Sequence, residues 1–146
     1  MRFQVSVNQV PLAATERERI IENPTLGTQV TEHQVVITVE KNKGWHSAQV
    51  IPYGPIMMDP SSAVLHYGQE IFEGIKAYRH QDGSIWTFRP DMNAARLHRS
   101  AKRMALPELP AELFVQSLVE LIALDGDWVP QSEGEKTLYF RPFEIA

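Results

Sequence analysis

The segment from residue 75 to residue 88 constrains the fold more than any other part of the sequence. Two β-prone runs, residues 75–78 (IKAY) and 85–88 (IWTF), flank a turn at residues 81–84 (QDGS). An Asp-Gly pair between such runs is the strongest short-range signal of a β-hairpin, because the turn needs positive φ angles that glycine adopts without strain. The segment therefore predicts a hairpin, and with it antiparallel pairing.

Two helices are predicted after this hairpin. The first covers residues 93–104, where Leu97, Ala101 and Met104 recur at helical spacing after an Arg-Pro-Asp start. The second covers residues 111–124 and ends at an Asp-Gly-Asp sequence. Its apolar face consists of Phe114, Leu118, Leu121 and Ile122.

Further strands are predicted at residues 35–39, 45–53 and 137–141, which are rich in β-branched and aromatic residues. Strands and helices are grouped rather than alternating, so the pattern favours an α+β domain over a parallel βαβ array. We expect a mainly antiparallel sheet with two helices packed on one face. Residues 1–24 have weak patterning and are interpreted as a partly ordered N-terminal arm, with a helical turn near residues 15–22. Residues 25–146 are interpreted as one domain.

The composition excludes several classes of function. The chain has no cysteine, which excludes disulfides, thiolate nucleophiles and cysteine-based metal sites. Its net charge of −4 gives no support to nucleic-acid binding, which normally needs a basic face. No apolar run approaches the roughly 18 residues that span a bilayer, and the first residues lack the apolar core of a secretory signal. We therefore expect a cytoplasmic protein with no membrane partner.

The polar residues give few motifs of their own. The 5 histidines lie far apart, without the spacing of metal ligands, and are interpreted as scattered surface or hinge residues, so no metal site is expected. No glycine-rich phosphate loop and no nucleophile elbow occurs. Glu70 and Glu73 are three residues apart in a half-extended segment, and we interpret them as structural rather than as a catalytic pair.

One candidate anion pocket remains. Arg96 lies in the first turns of a predicted helix, where the helix dipole and a guanidinium both favour a phosphate group. Tyr67 and Phe72 are compatible with either core or pocket positions, as is Tyr139. Arg141, in a strand next to an aromatic residue, is interpreted as either an edge charge or a carboxylate receptor.

The order and spacing of several blocks resemble the branched-chain amino-acid aminotransferases, which belong to the fold-type IV class of pyridoxal-phosphate enzymes. The resemblance extends from about Leu26 to the last residue. The blocks are 44–45 (GW), 53–55 (YGP), 65–67 (LHY), 72–78 (FEGIKAY), 88–90 (FRP), Asn93, Arg96, 99–101 (RSA), 127–130 (DWVP) and 138–142 (LYFRP).

The resemblance implies roles for five residues. Arg96 matches the arginine that binds the cofactor phosphate, and Tyr67 and Phe72 match the aromatic walls of the substrate side-chain pocket. Tyr139 and Arg141 match the pair that completes this pocket and receives the side-chain carboxylate of glutamate. A transaminase that exchanges leucine, isoleucine or valine with 2-oxoglutarate must accept both an apolar side chain and a carboxylate, and these residues offer both.

Two departures from the family pattern affect what the chain is expected to do. Leu26 stands where many members have phenylalanine, which puts the side-chain preference in question. None of the chain's lysines (Lys41, Lys43, Lys76, Lys102 and Lys136) matches the family's Schiff-base lysine, which lies in a C-terminal domain. The resemblance therefore implies the small N-terminal domain of a homodimeric enzyme. Alone, this domain is expected to be inactive, to contain no catalytic residue and to bind pyridoxal 5′-phosphate poorly.

Two other interpretations remain open at this point. One is a D-amino-acid aminotransferase or an aminodeoxychorismate lyase of the same class, although the blocks at residues 72–74 and 139–141 favour the branched-chain type. The other is a stand-alone binding or dimerisation module.

Overall fold

The computed structural model describes residues 1–25, 27–131 and 134–146. The prediction about Leu26 lies outside these residues. The strands are β1 (Gln4–Val5), β2 (His33–Glu40), β3 (Gly44–Pro52), β4 (Glu70–Phe72), β5 (Ile75–Arg79), β6 (Ile85–Thr87), β7 (Leu138–Phe140) and β8 (Phe143–Ile145). The helices are α1 (Ala14–Glu22), α2 (Ala63–Tyr67), α3 (Pro90–Met104) and α4 (Ala111–Asp125), and a short 3-10 turn (Gly126–Trp128) follows α4.

The strands form three small sheets, ordered β1-β3-β2, β4-β8 and β6-β5-β7. Every pair is antiparallel except β1 with β3. The α+β prediction and the predominance of antiparallel pairing are confirmed. The division into three sheets was not predicted.

The predicted hairpin is confirmed as β5 and β6, with Tyr78 opposite Trp86. Gly83 adopts a φ of 84°, which explains why glycine follows Asp82 in the turn. On its other edge β5 pairs with β7, where Lys76 lies opposite Tyr139. This register brings the end of the chain beside the segment that precedes the hairpin.

Both long helices were predicted, and they pack over the inner face of the hairpin sheet. From α3, Leu97 and Ala101 enter a buried cluster with Ala77 of β5 and Phe114 of α4. α3 begins earlier than predicted, because Pro90 occupies its first turn after Arg89 takes a left-handed conformation. This packing also places α3 next to β4.

The first residues of the chain belong to the sheet formed by β1, β2 and β3. The Phe3 side chain is only 7% exposed and packs with Ala48, Val50 and Leu113. α1 follows, and its Arg17 contacts Asp127 at 3.2 Å. The boundary between arm and domain at residue 24 stays a prediction.

The short strand β1 and three further short elements were not predicted. α2 has 5 residues and places Tyr67 on a helical turn. β4 and β8 have 3 residues each and pair with Phe72 opposite Phe143. Elements of this length contain too few residues to display a hydrophobic period. Within the described parts of the chain, no helix is long and apolar enough to cross a membrane.

Candidate functional site

The site is organised around Glu73, which follows β4 and is buried although it is charged. Its side chain is 1% exposed, whereas that of Arg96 on α3 is 60% exposed. The two groups form a bidentate pair, with Arg96 Nε 2.6 Å from Glu73 Oε1 and Nη2 2.7 Å from Oε2. Paired hydrogen bonds of this kind fix the plane of a guanidinium as well as its position.

Asn93, one turn before Arg96 on α3, completes the binding of this carboxylate. Its Nδ2 donates to Glu73 Oε2 at 2.8 Å and to the carbonyl oxygen of Gly74 at 3.2 Å. Burial by itself raises the pKa of Glu73, but the hydrogen bonds from Arg96 and Asn93 outweigh it and hold the pKa below its usual value. Glu73 is therefore ionised at neutral pH. The same pair raises the pKa of Arg96.

Gly74 allows Tyr139 to lie close to the Glu73–Arg96 pair. A Cβ atom at this position would overlap the Tyr139 hydroxyl and lie 3.0 Å from Cζ of the same ring. Only glycine leaves space for the Tyr139 ring to lie against the backbone here. The two residues thus contact both partners: the Glu73 carboxylate binds Arg96, and the Gly74 backbone lies against the Tyr139 ring.

Tyr139, Arg141 and Phe72 form a compact cation–aromatic group. Arg141 donates from Nη2 to the Tyr139 hydroxyl at 2.8 Å, and its Cζ lies 4.5 Å from the centre of the Phe72 ring. Phe72 is 60% exposed, so one face of this group is open to solvent. The arrangement offers an apolar surface, a hydroxyl and a positive charge within one patch.

Of the five predicted site residues, the structure brings Phe72, Tyr139 and Arg141 together. Arg96 is connected to this group through Glu73 and Gly74, whereas Tyr67 lies apart. Tyr67 is 84% exposed, and the ring that it approaches is that of His66, with centroids 6.2 Å apart. Arg96 contacts Glu73, and the next residue, Gly74, lies against the Tyr139 ring.

Beside Arg96, a groove of about 400 Å³ runs between α3 and β4. Its lining residues are Glu70, Ile71, Arg96, Arg99, Ser100, Arg103 and Met104. The three arginines are spaced along one face of α3, so they give this surface a positive potential that favours an anion.

Three buried polar groups were missed in the sequence. Glu73 was interpreted as structural, but its partner Arg96 is 23 residues away and was not connected with it. His33 was expected at the surface or a hinge. The prediction is wrong for this residue, which is 7% exposed and has Nδ1 at 2.6 Å from Asp125 Oδ1. Glu144 has both carboxylate oxygens buried without a hydrogen-bond partner among the described residues.

The described part of the chain offers no cluster of side chains suited to a metal ion. Residues 1–25, 27–131 and 134–146 contain no group of three or more His, Asp or Glu side chains placed to hold a metal ion. The polar and apolar groups of the site are the guanidinium groups of Arg96 and Arg141, the carboxylate of Glu73, the amide of Asn93 and the rings of Phe72 and Tyr139.

Known sequences resemble the chain over its whole length. It is 58% identical over 146 residues to the branched-chain-amino-acid aminotransferase of Mycolicibacterium smegmatis and 54% identical over the same length to that of Mycobacterium tuberculosis. A branched-chain-amino-acid transaminase of Bacillus subtilis is 48% identical over 120 residues. The chain belongs to the branched-chain-amino-acid aminotransferase family. The resemblance inferred from the sequence blocks is thereby confirmed. No family model matches the chain.

The match covers one part of these aminotransferases. All of the chain is aligned, but it spans only 40% of the length of the two mycobacterial relatives. A solved structure of the branched-chain amino acid aminotransferase from Thermobaculum terrenum, in its PLP form, has a TM-score of 0.51 over 66% of the chain and 30% of its own. At 20% sequence identity, this likeness supports the fold.

Proposed function

We propose that this chain forms one wall of the active site of a pyridoxal-phosphate-dependent transaminase that transfers the amino group of leucine, isoleucine or valine to 2-oxoglutarate. The observation that carries the proposal is the group of Phe72, Tyr139 and Arg141, with Arg141 bonded to the hydroxyl and lying over the Phe72 ring. The names of relatives that are 54% to 58% identical over all 146 residues support the same activity.

The side chains fit both substrates of such a reaction. The exposed ring of Phe72 offers an apolar surface to a branched aliphatic side chain. The Tyr139 oxygen accepts hydrogen bonds from Arg141, so its own hydrogen is available to a carboxylate. Arg141 supplies the balancing positive charge, so glutamate and 2-oxoglutarate are held at the same patch. Tyr67 is proposed as a further aromatic wall of this pocket.

The residues also fit the phosphate end of the cofactor. Arg96 uses Nε and Nη2 for Glu73, while its Nη1 has no hydrogen-bond partner in the described ranges of the chain. Its exposure and the neighbouring arginines of the groove favour a dianionic group. Pyridoxal 5′-phosphate, when bound, supplies the electron-accepting ring that amino transfer requires. Arg96 orients that group by its phosphate.

We propose further that this chain alone is inactive. Amino transfer needs a lysine at the cofactor, and none of the 5 lysines of the chain matches the family's position for it. We expect no stoichiometric adduct after the chain is incubated with pyridoxal phosphate and reduced with borohydride, as followed by mass spectrometry. A stoichiometric adduct at a single lysine would overturn this part of the proposal.

The substrate assignment is tested in the complete enzyme by Arg141→Gln. Loss of a charged partner for the carboxylate raises KM for 2-oxoglutarate by about 10- to 100-fold, with a much smaller change for leucine. Arg19→Gln is the matched control, because Arg19 lies on α1 and pairs with Glu16. Equal losses for both substrates would contradict the role given to Arg141. Activity on D-alanine in place of leucine would instead indicate the D-amino-acid enzyme.

The complete enzyme is also proposed to be a cytoplasmic homodimer. The outer face of the hairpin sheet supports association, since Tyr78 and Trp86 lie opposite each other and are 41% and 60% exposed. Sedimentation equilibrium of the complete enzyme measures its molar mass directly, and a monomer at micromolar concentration would contradict this proposal.

A further inference from the structure

We propose that Glu73 is a positioning residue for cofactor binding, because it turns the guanidinium of Arg96 so that one two-donor edge faces the phosphate. The inference rests on the function proposed for Arg96 and adds a residue that does not itself touch the phosphate.

The geometry divides the donors of Arg96 into two sets. A guanidinium carries five N–H groups, and Glu73 takes one from Nε and one from Nη2. The remaining three lie on Nη1 and Nη2, and two of them, one from each nitrogen, point along the adjacent edge. That edge is a fork of parallel donors, which matches two oxygens of a phosphate. Without Glu73, an arginine that is 60% exposed has many rotamers, and only some of them present this fork.

Glu73 itself is held more firmly than the arginine it orients. Its side chain is 1% exposed, Asn93 donates to Oε2 at 2.8 Å, and its backbone N–H donates to the carbonyl oxygen of Pro142 at 2.8 Å. The low pKa of Glu73 keeps the carboxylate charged across the neutral range. The buried carboxylate therefore acts as a fixed support on which the exposed arginine is oriented.

In the alternative interpretation, Glu73 does not orient Arg96, and Arg96 serves only to neutralise the buried carboxylate of Glu73. Both interpretations predict that losing Glu73 changes stability, so stability does not separate them. They differ in their effect on phosphate recognition. If Glu73 orients the fork, its loss weakens the binding of pyridoxal 5′-phosphate but leaves the binding of pyridoxal, which lacks the phosphate, nearly unchanged.

The experiment measures dissociation constants of pyridoxal 5′-phosphate and of pyridoxal for the cofactor-free complete enzyme, by calorimetry. The dissociation constant of pyridoxal divided by that of pyridoxal 5′-phosphate is the phosphate discrimination. We expect Glu73→Gln to lower this ratio about tenfold, and Arg96→Gln to lower it at least as much. The double variant should equal Arg96→Gln alone, because a positioning residue has no effect once the group it positions is gone. Glu112→Gln, an exposed carboxylate on α4, is the control.

Each outcome is decisive. If Arg96→Gln leaves the discrimination unchanged, the cofactor role of Arg96 is wrong. If Arg96→Gln lowers it but Glu73→Gln does not, the positioning role is overturned while the role of Arg96 stands. Should Glu73→Gln fail to fold, Asn93→Ala removes one support of the carboxylate and keeps the ion pair. We expect that variant to lower the discrimination about threefold, and an unchanged ratio would overturn the inference.

Discussion

Glu144 shows what a carboxylate does when it is buried without a partner. It lies on β8 opposite Ile71, and neither of its side-chain oxygens has a hydrogen-bond partner in the described chain. Burial raises its pKa from 4.5 to about 7. The folded state therefore keeps a proton that the unfolded chain releases, so the free energy of unfolding falls as pH rises from about 4.5 to about 7.

Replacing this carboxylate removes that dependence. We expect Glu144→Gln to be more stable than the wild type at pH 8 by about 1 to 2 kcal/mol, after allowance for partial solvent screening, and nearly equal to it at pH 5. Urea unfolding of both proteins at the two pH values measures the difference. Glu70→Gln on the exposed side of β4 is the control and should show no such trend. A gain that is equal at both pH values would contradict the assignment.

Gly74 occupies a position where any side chain would collide with Tyr139. We expect Gly74→Ala to displace the Tyr139 ring and break its hydrogen bonds to Arg141, because the new methyl group occupies the position of the hydroxyl. The Tyr139 ring can move away from the new methyl group, so the free energy of unfolding falls by only about 1 kcal/mol, at the low end of the cost of overpacking. Near-ultraviolet circular dichroism of tyrosine reports the displacement. Gly54→Ala, where a Cβ meets nothing within 4 Å, should leave the spectrum unchanged.

At the scale of elements, predictability followed length and local chemistry. α3 and α4 each have 15 residues, long enough for a helical period, and Pro90 marks the start of α3. The hairpin was marked by its Asp82-Gly83 turn. By contrast, α2, β4 and β8 have no more than 5 residues each, and β4 pairs with a strand some 70 positions away. Such pairing depends on tertiary contacts that local patterns do not contain.

A buried pair joins the end of α4 to the start of β2. His33 Nε2 accepts a hydrogen bond from the backbone N–H of Asn8, so the ring proton is on Nδ1 and is donated to Asp125. Asp125 also accepts from the backbone N–H of His33 at 3.0 Å. One aspartate thus fixes the relative position of the helix, the strand and, through the ring, the N-terminal segment.

We expect Asp125→Ala to lower the free energy of unfolding by about 3 kcal/mol, because it leaves buried donors of His33 without an acceptor. Asp127→Ala is the matched control, since Asp127 is 77% exposed and pairs with Arg17 at the surface, so its loss costs less than about 1 kcal/mol. Chemical denaturation measures both. Equal effects would show that the His33 contact is not what stabilises this junction.

At the scale of the whole molecule, two buried clusters share one helix. Leu113 of α4 packs with Phe3 and Val50, while Phe114 and Leu118 pack with the hairpin sheet and α3. Leu109 and Leu121 lie against both clusters. Adjacent side chains of one rigid helix therefore connect the two halves of the core, which favours a single cooperative transition.

Val50→Ala tests this coupling. Val50 is fully buried in the smaller cluster, and its truncation should lower the free energy of unfolding by about 2 kcal/mol. We expect far-ultraviolet circular dichroism and tryptophan fluorescence to give one urea transition with the same, lowered midpoint. Two separated transitions in this variant would mean that the clusters unfold independently.

The candidate site was predictable only in part. The blocks containing Arg96, Phe72, Tyr139 and Arg141 were identified from their order and spacing, and the family is confirmed by similarity over all 146 residues of the chain. The buried position of Glu73 was not predictable, since nothing local distinguishes a glutamate that will lie 2.6 Å from a distant arginine. Charge pairs across long sequence separations are properties of packing rather than of pattern.

The glutamate–glycine peptide at residues 73–74 also limits how the proposed substrate patch can be redesigned. A change at Glu73 removes the carboxylate that Arg96 contacts, and a change at Gly74 places a side chain against the Tyr139 ring. Phe72 is next to it in the chain, yet it is 60% exposed and its ring is contacted by the Arg141 side chain. A mutant library intended to alter substrate size should therefore vary residue 72 and keep the following two residues constant.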